Sequence, residues 1–327
     1  MKRIFLKSCF ACLLLLQLTS CTEPSDKPKA SYQQVDEIAD AANISADASI
    51  SVISNIKSGI QVWDLQSNTQ KFAWNNQEDA INTVTNIHIA ADNSYVVTSS
   101  RETFTLWNLL EGEPEGYWRI DEASIRDVAV SSLGRGILVG RSNGKVMFFE
   151  PNTTRRLEFL GHQEKVNSVD ISPNGFYALT GSNDYVAYLW DTRSGQVIHK
   201  FEHSSRVTKV SLDDQGRYAF TADSKRDAKI WDLTTGQEVS NLQYLARQRI
   251  FTTASFSPDG KYLLTGSPAK RMNLWDVTTG KELKEWYVSP RENSQPPTAV
   301  VYSVAFINNQ QILSASSSGL VEKWDVK

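Results

Sequence analysis

The sequence predicts an all-β chain folded as seven four-stranded antiparallel blades set side by side in a closed ring. A Trp-Asp or Trp-Asn pair closes a short apolar run at Trp63-Asp64, Trp107-Asn108, Trp190-Asp191, Trp231-Asp232, Trp275-Asp276 and Trp324-Asp325, and Phe149-Glu150 fills the same slot. The steps between these pairs are 44, 42, 41, 41, 44 and 49 residues, close to the repeat that marks the blades of a β-propeller. Turn residues divide each repeat into short strands, roughly every 8–12 residues.

The fourth repeat shows how a blade is specified. Gly161-His162 opens it, and Val166, Val169 and Ile171 give an inner strand. Ser172-Pro173-Asn174-Gly175 is a turn, because Pro and Gly supply the dihedrals of a tight reversal. Tyr177 to Thr180 forms the next strand, Gly181 to Asp184 turns, and Val186 to Trp190 is the third strand. Asp191 to Gly195 turns again before an outer strand from Gln196 to Phe201. One such sheet cannot bury both of its faces, whereas stacking against neighbours in a ring buries them and leaves only short edges.

The chain stops at Trp324-Asp325-Val326-Lys327, just after a third strand. The last blade therefore lacks an outer strand, and Ala30 to Val35, ahead of the first blade, is expected to supply it. That pairing would close the ring; the alternative leaves these residues in a tether.

On these residues the chain resembles the WD-repeat (WD40) β-propeller family over roughly residues 31–327. The resemblance implies a structural tetrad of His, Ser or Thr, Asp and Trp within a blade, matched in the fourth blade by His162, Thr180, Asp184 and Trp190. Its logic is satisfaction of buried polar groups, with the hydroxyl accepting from the indole N–H and the imidazole joining hydroxyl to carboxylate. The fifth blade has His203, Thr221 and Trp231 but Lys225 in the Asp slot, with Asp227 able to shift in. The sixth has Thr265 and Trp275 with Arg247 and Ala269 at the His and Asp slots, and the seventh has Ser314 and Trp324 with Pro297 and Ser318. The first three blades lack the His–Asp pair.

Residues 1–20 read as a lipoprotein signal peptide. Lys2, Arg3 and Lys7 precede an apolar stretch from Phe10 to Leu18, which is too short to span a bilayer. Leu18-Thr19-Ser20-Cys21 looks like a bacterial lipobox, which implies lipid on Cys21 and a polar tether over residues 21–30; an ordinary secretory signal is the alternative. The other cysteines, Cys9 and Cys12, leave with the leader. The folded body then has no thiol, which suits an oxidising compartment. Thr22 in place of Asp implies delivery to the periplasmic face of the outer membrane, if the host is Gram-negative.

Without the leader's three basic residues, 31 Lys and Arg face 37 Asp and Glu, a net charge of −6. That balance, with no basic run, argues against a nucleic-acid partner. Gly140-Arg141-Ser142-Asn143-Gly144 matches a nucleophile-elbow pattern, but that pattern works only at a strand-to-helix turn, and here it falls between two strands. The four histidines, His88, His162, His199 and His203, have no metal-ligand spacing. Asp213-Asp214 reads as a solvated hairpin turn without a full calcium ligand set. We expect no catalytic residue, no metal and no cofactor. Trp74, Trp118 and Trp286 fall on outer strands, as cross-sheet packing residues or as partner contacts.

The family resemblance implies partner contacts on the face where the innermost strands begin. Flanking residues there include Arg126, Lys165, Arg206 and Tyr302, and the turns before the third strands add Lys57, Arg101, Lys225 and Arg271. Arg126, Lys165 and Arg206 come from consecutive blades and form a basic crescent suited to carboxylates. Insertions at Tyr244 to Arg249 and Ser289 to Pro297 add Arg247, Arg249 and Arg291 on loops where binding concentrates. The expected function is a non-enzymatic, lipid-anchored scaffold for envelope proteins. The alternatives are a propeller that binds a saccharide, a peptidoglycan fragment or an acidic peptide, and, more remotely, a hydrolase.

Overall fold

The computed structural model describes residues 26–75, 83–244 and 249–327. The leader 1–20, Cys21 and Arg247 lie outside these described residues. Seven four-stranded antiparallel sheets form the fold. Six are built from consecutive strands and span 41–74, 86–119, 125–159, 166–202, 207–241 and 253–287. They are called blades 1 to 6. Blade 7 takes three strands from 301–325 and its outermost from Ala30–Gln33.

That last strand closes the ring. Ala30 pairs with Lys323, Ser31 with Glu322, Tyr32 with Val321 and Gln33 with Leu320. The pairing extends past both ends, through Lys29 N–H to the Lys323 carbonyl at 2.7 Å and Gln34 N–H to the Gly319 carbonyl at 2.9 Å. Val35 is then buried at the seam between blades 7 and 1.

The core is divided among the gaps between blades. Each apolar cluster draws on two neighbours, as Val52 and Val62 of blade 1 pack with Ile87 and Val96 of blade 2. The same holds from blade to blade, and Ile53 of blade 1 meets Leu313 and Val321 of blade 7 where the ends join. Alternation along each strand gives every blade two apolar faces, so each requires a neighbour on both sides.

An aromatic stack marks several of these gaps. Trp74 of blade 1 stacks on Trp107 of blade 2 with ring centroids 4.7 Å apart. Phe159 of blade 3 lies on Trp190 of blade 4 at 4.6 Å, and Phe201 of blade 4 on Trp231 of blade 5 at 4.6 Å. In blade 3 Phe149 takes the Trp slot and meets Trp118 edge-on at 5.0 Å. Trp74 and Trp286 are buried and Trp118 is largely covered. These outer-strand tryptophans therefore join one blade to the next, and a role as exposed partner contacts is corrected.

The innermost strands line a central channel of about 460 Å³. Polar side chains on them bond across to the adjacent blade. Asp127 accepts from Val169 N–H at 3.0 Å and Asp170 from Leu212 N–H at 2.7 Å. His88 Nδ1 accepts from Val130 N–H at 3.2 Å. Its placement in the channel wall explains why it alternates with Ile87 and Ile89, which face the core. Asp213 departs from the solvated turn expected of it: it is buried and clamps Arg217 at 2.6 and 2.8 Å.

Candidate functional site

Two sets of polar residues converge on the face where the innermost strands begin. One lies inside the blades, beneath the loops; the other stands on the rim. Backbone bonds tie the two parts of that face together. Ser142, Asn183 and Ser224, in turns before third strands, donate N–H to the carbonyls of Ser124, Lys165 and Arg206 at 2.9 Å each. Strand entries and third-strand turns thus form one surface.

In blade 4, His162 Nδ1 lies 2.9 Å from Asp184 and Nε2 lies 2.9 Å from Thr180 Oγ1. Gln163 N–H also donates to Asp184 at 3.0 Å. Burial works to raise the Asp184 carboxyl, but the bond and charge of His162 and the N–H groups of Gln163 and Val186 outweigh it and hold it below the usual carboxylate range. Among the described residues the indole N–H of Trp190 has no hydrogen-bond partner, so the expected link from tryptophan to hydroxyl is not made in this blade. It is present in others, where Trp107 donates to Thr98 at 2.9 Å, Trp231 to Thr221 at 2.7 Å, Trp275 to Thr265 at 2.9 Å and Trp324 to Ser314 at 3.0 Å.

Blade 5 is built differently. His203 Nε2 meets Thr221 Oγ1 at 2.8 Å, but its Nδ1 has no partner among the described residues. Asp227 reaches the turn position that Asp184 holds in blade 4, accepting from Ser204 N–H at 3.3 Å. Asp223, fully buried, adds a second carboxylate. Burial pushes His203 down to about 4 against the pull of Asp223, which leaves the imidazole neutral.

Blade 6 fills the place of the histidine with an arginine. Arg249 is buried, 5.1 Å from the Trp275 ring and 5.4 Å from that of Tyr244. It donates to Asn273 at 2.8 Å and pairs with Glu282 at 3.3 Å. Arg249 is therefore a packing residue and is corrected as a candidate partner contact: its guanidinium is spent inside the blade.

Blade 7 buries Glu322, which accepts from Ser289 N–H at 3.0 Å. Burial, the larger influence, raises its carboxyl despite that bond. With the folded value above the unfolded one, ionisation opposes folding. The stabilising contribution is complete below the unfolded carboxylate value and is lost as pH rises through the folded one. Glu322→Gln keeps an acceptor for Ser289. It is expected to raise the thermal midpoint at pH 7 and to narrow its advantage over the parent in acid. A lower midpoint at pH 7 counts against that account.

Asn273 and Glu322 were missed in the sequence, yet both stand two residues before a repeat tryptophan. That spacing puts them on the same strand face as the indole.

On the rim, Arg126 and Arg206 are exposed and Lys165 is half-buried. Arg126 sits in a β-bulge between Ile125 and Asp127, a feature that re-aims a side chain at a strand end. Lys225 is exposed on the turn beside Arg206. Among the described residues, these four cations make no salt bridge, whereas Lys57 is paired with Glu37, and Lys145 with Glu122 at 3.1 Å. Tyr302 is also a bulge residue, but its hydroxyl donates to the Ala39 carbonyl at 3.1 Å, which ties it to the seam between blades 7 and 1. Arg291 is exposed on the loop between blades 6 and 7, outside the three blades of the crescent. The structure thus groups Arg126, Lys165, Arg206 and Lys225, and leaves Tyr302, Arg249 and Arg291 apart. Ser142 lies in a hairpin turn and its Oγ accepts from Ser124 N–H at 3.2 Å.

Comparison with known proteins fits this geometry. The repeat family described as "WD domain, G-beta repeat" matches at residues 153–191, 195–232 and 245–276. These matches run over the first three strands of blades 4, 5 and 6, and the first two also take in the outer strand of the blade before. "Polyadenylation factor subunit 2" of Candida albicans is 28% identical over 142 residues, which is 43% of this chain and 26% of that protein. "WD repeat-containing protein SL1-17" of Schistosoma mansoni is 26% identical over 48% of this chain and 52% of its own length. "WD repeat-containing protein 38" of Homo sapiens is 51% identical over 45 residues, 14% of either chain. The chain therefore spans about half of the length of one of these curated relatives and about a quarter or less of the other two. Propellers with such repeats are typical of protein–protein interaction scaffolds and are generally not catalytic. This chain is a seven-bladed β-propeller that carries WD repeats in its fourth, fifth and sixth blades.

Proposed function

We propose that the protein is a non-enzymatic scaffold, held by lipid on Cys21 at the periplasmic face of the outer membrane, that gathers envelope proteins through acidic segments. The observation that carries this reading is the row of cations from three consecutive blades, Arg126, Lys165, Arg206 and Lys225, which make no salt bridge among the described residues, on a body with a net charge of −6 once the leader is removed. A rigid ring presents them at fixed spacing, and an arginine can grip a carboxylate with two parallel bonds. The channel is a poorer place for an anionic saccharide, because Asp127, Asp170, Asp213 and Asp214 line it.

The test is capture from intact envelopes after mild crosslinking, comparing the parent with the triple variant Arg126→Glu, Lys165→Glu, Arg206→Glu. Reversal of the row is expected to weaken capture on the order of a hundredfold while the thermal midpoint holds. An unchanged set of captured proteins discards the reading. In the same preparations Cys21→Ser should move the protein from the membrane to the soluble fraction; retention on the membrane would remove the lipid anchor from it.

A further inference from the structure

We propose that blade 5 binds a divalent metal cation of the zinc class between His203, Asp223 and Asp227. Ligand atoms of these three residues, one from each, lie within 4.8 Å of one another. His203 is 9% exposed, and its Nδ1, the ring nitrogen that Thr221 does not engage, is without a hydrogen-bond partner among the described residues. Blade 4 shows what the same place looks like when hydrogen bonds alone close it. There a single carboxylate, Asp184, bonds His162 Nδ1 at 2.9 Å. In blade 5 the second-strand position that pairs with the inner-strand valine is Asp223 instead of Ser182. One imidazole therefore faces two carboxylates, an excess of negative charge that a bound cation neutralises.

The donor set is chemically suited. Imidazole nitrogen favours zinc and its neighbours among the divalent metals, and carboxylate oxygens complete such sites. Bonds of about 2.1 Å place ligand atoms roughly 3.4 Å apart around a tetrahedral ion, so a bound ion would draw together ligand atoms that now lie within 4.8 Å of one another. Asp223 is already oriented by Lys225 N–H at 2.7 Å, Asp227 N–H at 3.1 Å and the Ser204 hydroxyl at 3.1 Å. Thr221 Oγ1 has two lone pairs. It can accept from Trp231 and also from His203 Nε2–H, which leaves the Nδ1 lone pair for the metal. Lys229, the basic side chain whose charge acts on His203, directs its ammonium to Glu238 at 3.3 Å. The cation would join the loop before blade 5 to the turn that carries Lys225, the connection that the His162–Asp184 bond makes in blade 4. This inference rests on the geometry of blade 5 and is independent of the scaffold reading.

The test uses the untagged, metal-stripped full chain with Zn²⁺ alone as the probe. Equilibrium dialysis is expected to give one saturable Zn²⁺ per chain, and Zn²⁺ to raise the thermal midpoint. Co²⁺ should give visible absorption bands that Zn²⁺ abolishes. Both Asp227→Asn, on an exposed-side turn and equal in size, and His203→Gln should lose the saturable site. His88→Gln and His162→Gln should keep it. Absence of saturable Zn²⁺ uptake by the parent overturns the proposal, as does uptake that survives both Asp227→Asn and His203→Gln. If His203→Gln fails to fold, Asp227→Asn and the Co²⁺ bands of the parent decide the matter.

Discussion

Trp190→Ala is expected to destabilise the propeller by about 3–5 kcal/mol, the usual cost of emptying a fully buried aromatic site. Trp190 is 0% exposed and sits in the gap between blades 3 and 4, its ring stacked on Phe159. Neighbours that could refill the space, Ala129, Leu138 and Ala178, are short or already packed. A finer comparison separates packing from hydrogen bonding. Trp190→Phe gives up area only, because its indole N–H is unpartnered. Trp275→Phe also leaves the Thr265 hydroxyl without the donor it meets at 2.9 Å, which costs roughly a further 1 kcal/mol. Urea unfolding of the three variants gives the values. A loss below about 1 kcal/mol for Trp190→Ala would show that this gap is not packed as described.

Deleting residues 26–35 is expected to cost about 5 kcal/mol or more. The deletion removes the ladder of Ala30–Gln33 against the last strand, empties the place of Val35 and uncovers the side of Glu322. Backbone bonds contribute about 1 kcal/mol each and a lost apolar side chain 2 or more. Since whole domains are stable by only about 5–15 kcal/mol, the deleted chain should be largely unfolded at 37 °C by circular dichroism. A synthetic peptide of residues 26–40 should restore part of the melting transition, because the open edge is a template for that strand. A deletion that melts like the parent would mean the closing strand contributes little to holding the ring shut.

The ring was legible because its two signals are local. Trp-Asp pairs set the period, and Gly, Pro and Asn set the turns, so blade number and the closing strand followed from spacing alone. What the sequence hid depends on which sheet meets which. Trp74 and Trp286 lie on outer strands, and nothing in their own segments reveals that a neighbouring blade covers them. Arg249 lies in a long, polar insertion and reads as a loop residue, yet it folds back over Trp275 because blade 6 lacks a histidine to fill that space. In the polar sets, the repeat positions of blade 4 could be aligned by eye. The buried polar residues of blades 6 and 7, Asn273 and Glu322, lie on third strands, whereas His162 and Asp184 lie in a loop and a turn, so they could be found only through the two-residue alternation ahead of the tryptophan.

The seam between blades 7 and 1 also imposes an order of assembly. Ala30 is among the earliest residues of the ring to be synthesised and Lys323 among the latest, and they are partners. Blades 1 to 6 can each zip up from neighbouring segments as they emerge, but the circle must stand open until residues 320–323 have been made. Contacts between such distant parts of a chain form slowly. Throughout that wait Ala30–Gln33 is an unattached strand. A nascent chain that carries it is exposed to pairing with the unfinished blade of another copy, so chaperoning of this one segment, more than of the blades, should govern the yield of folded protein.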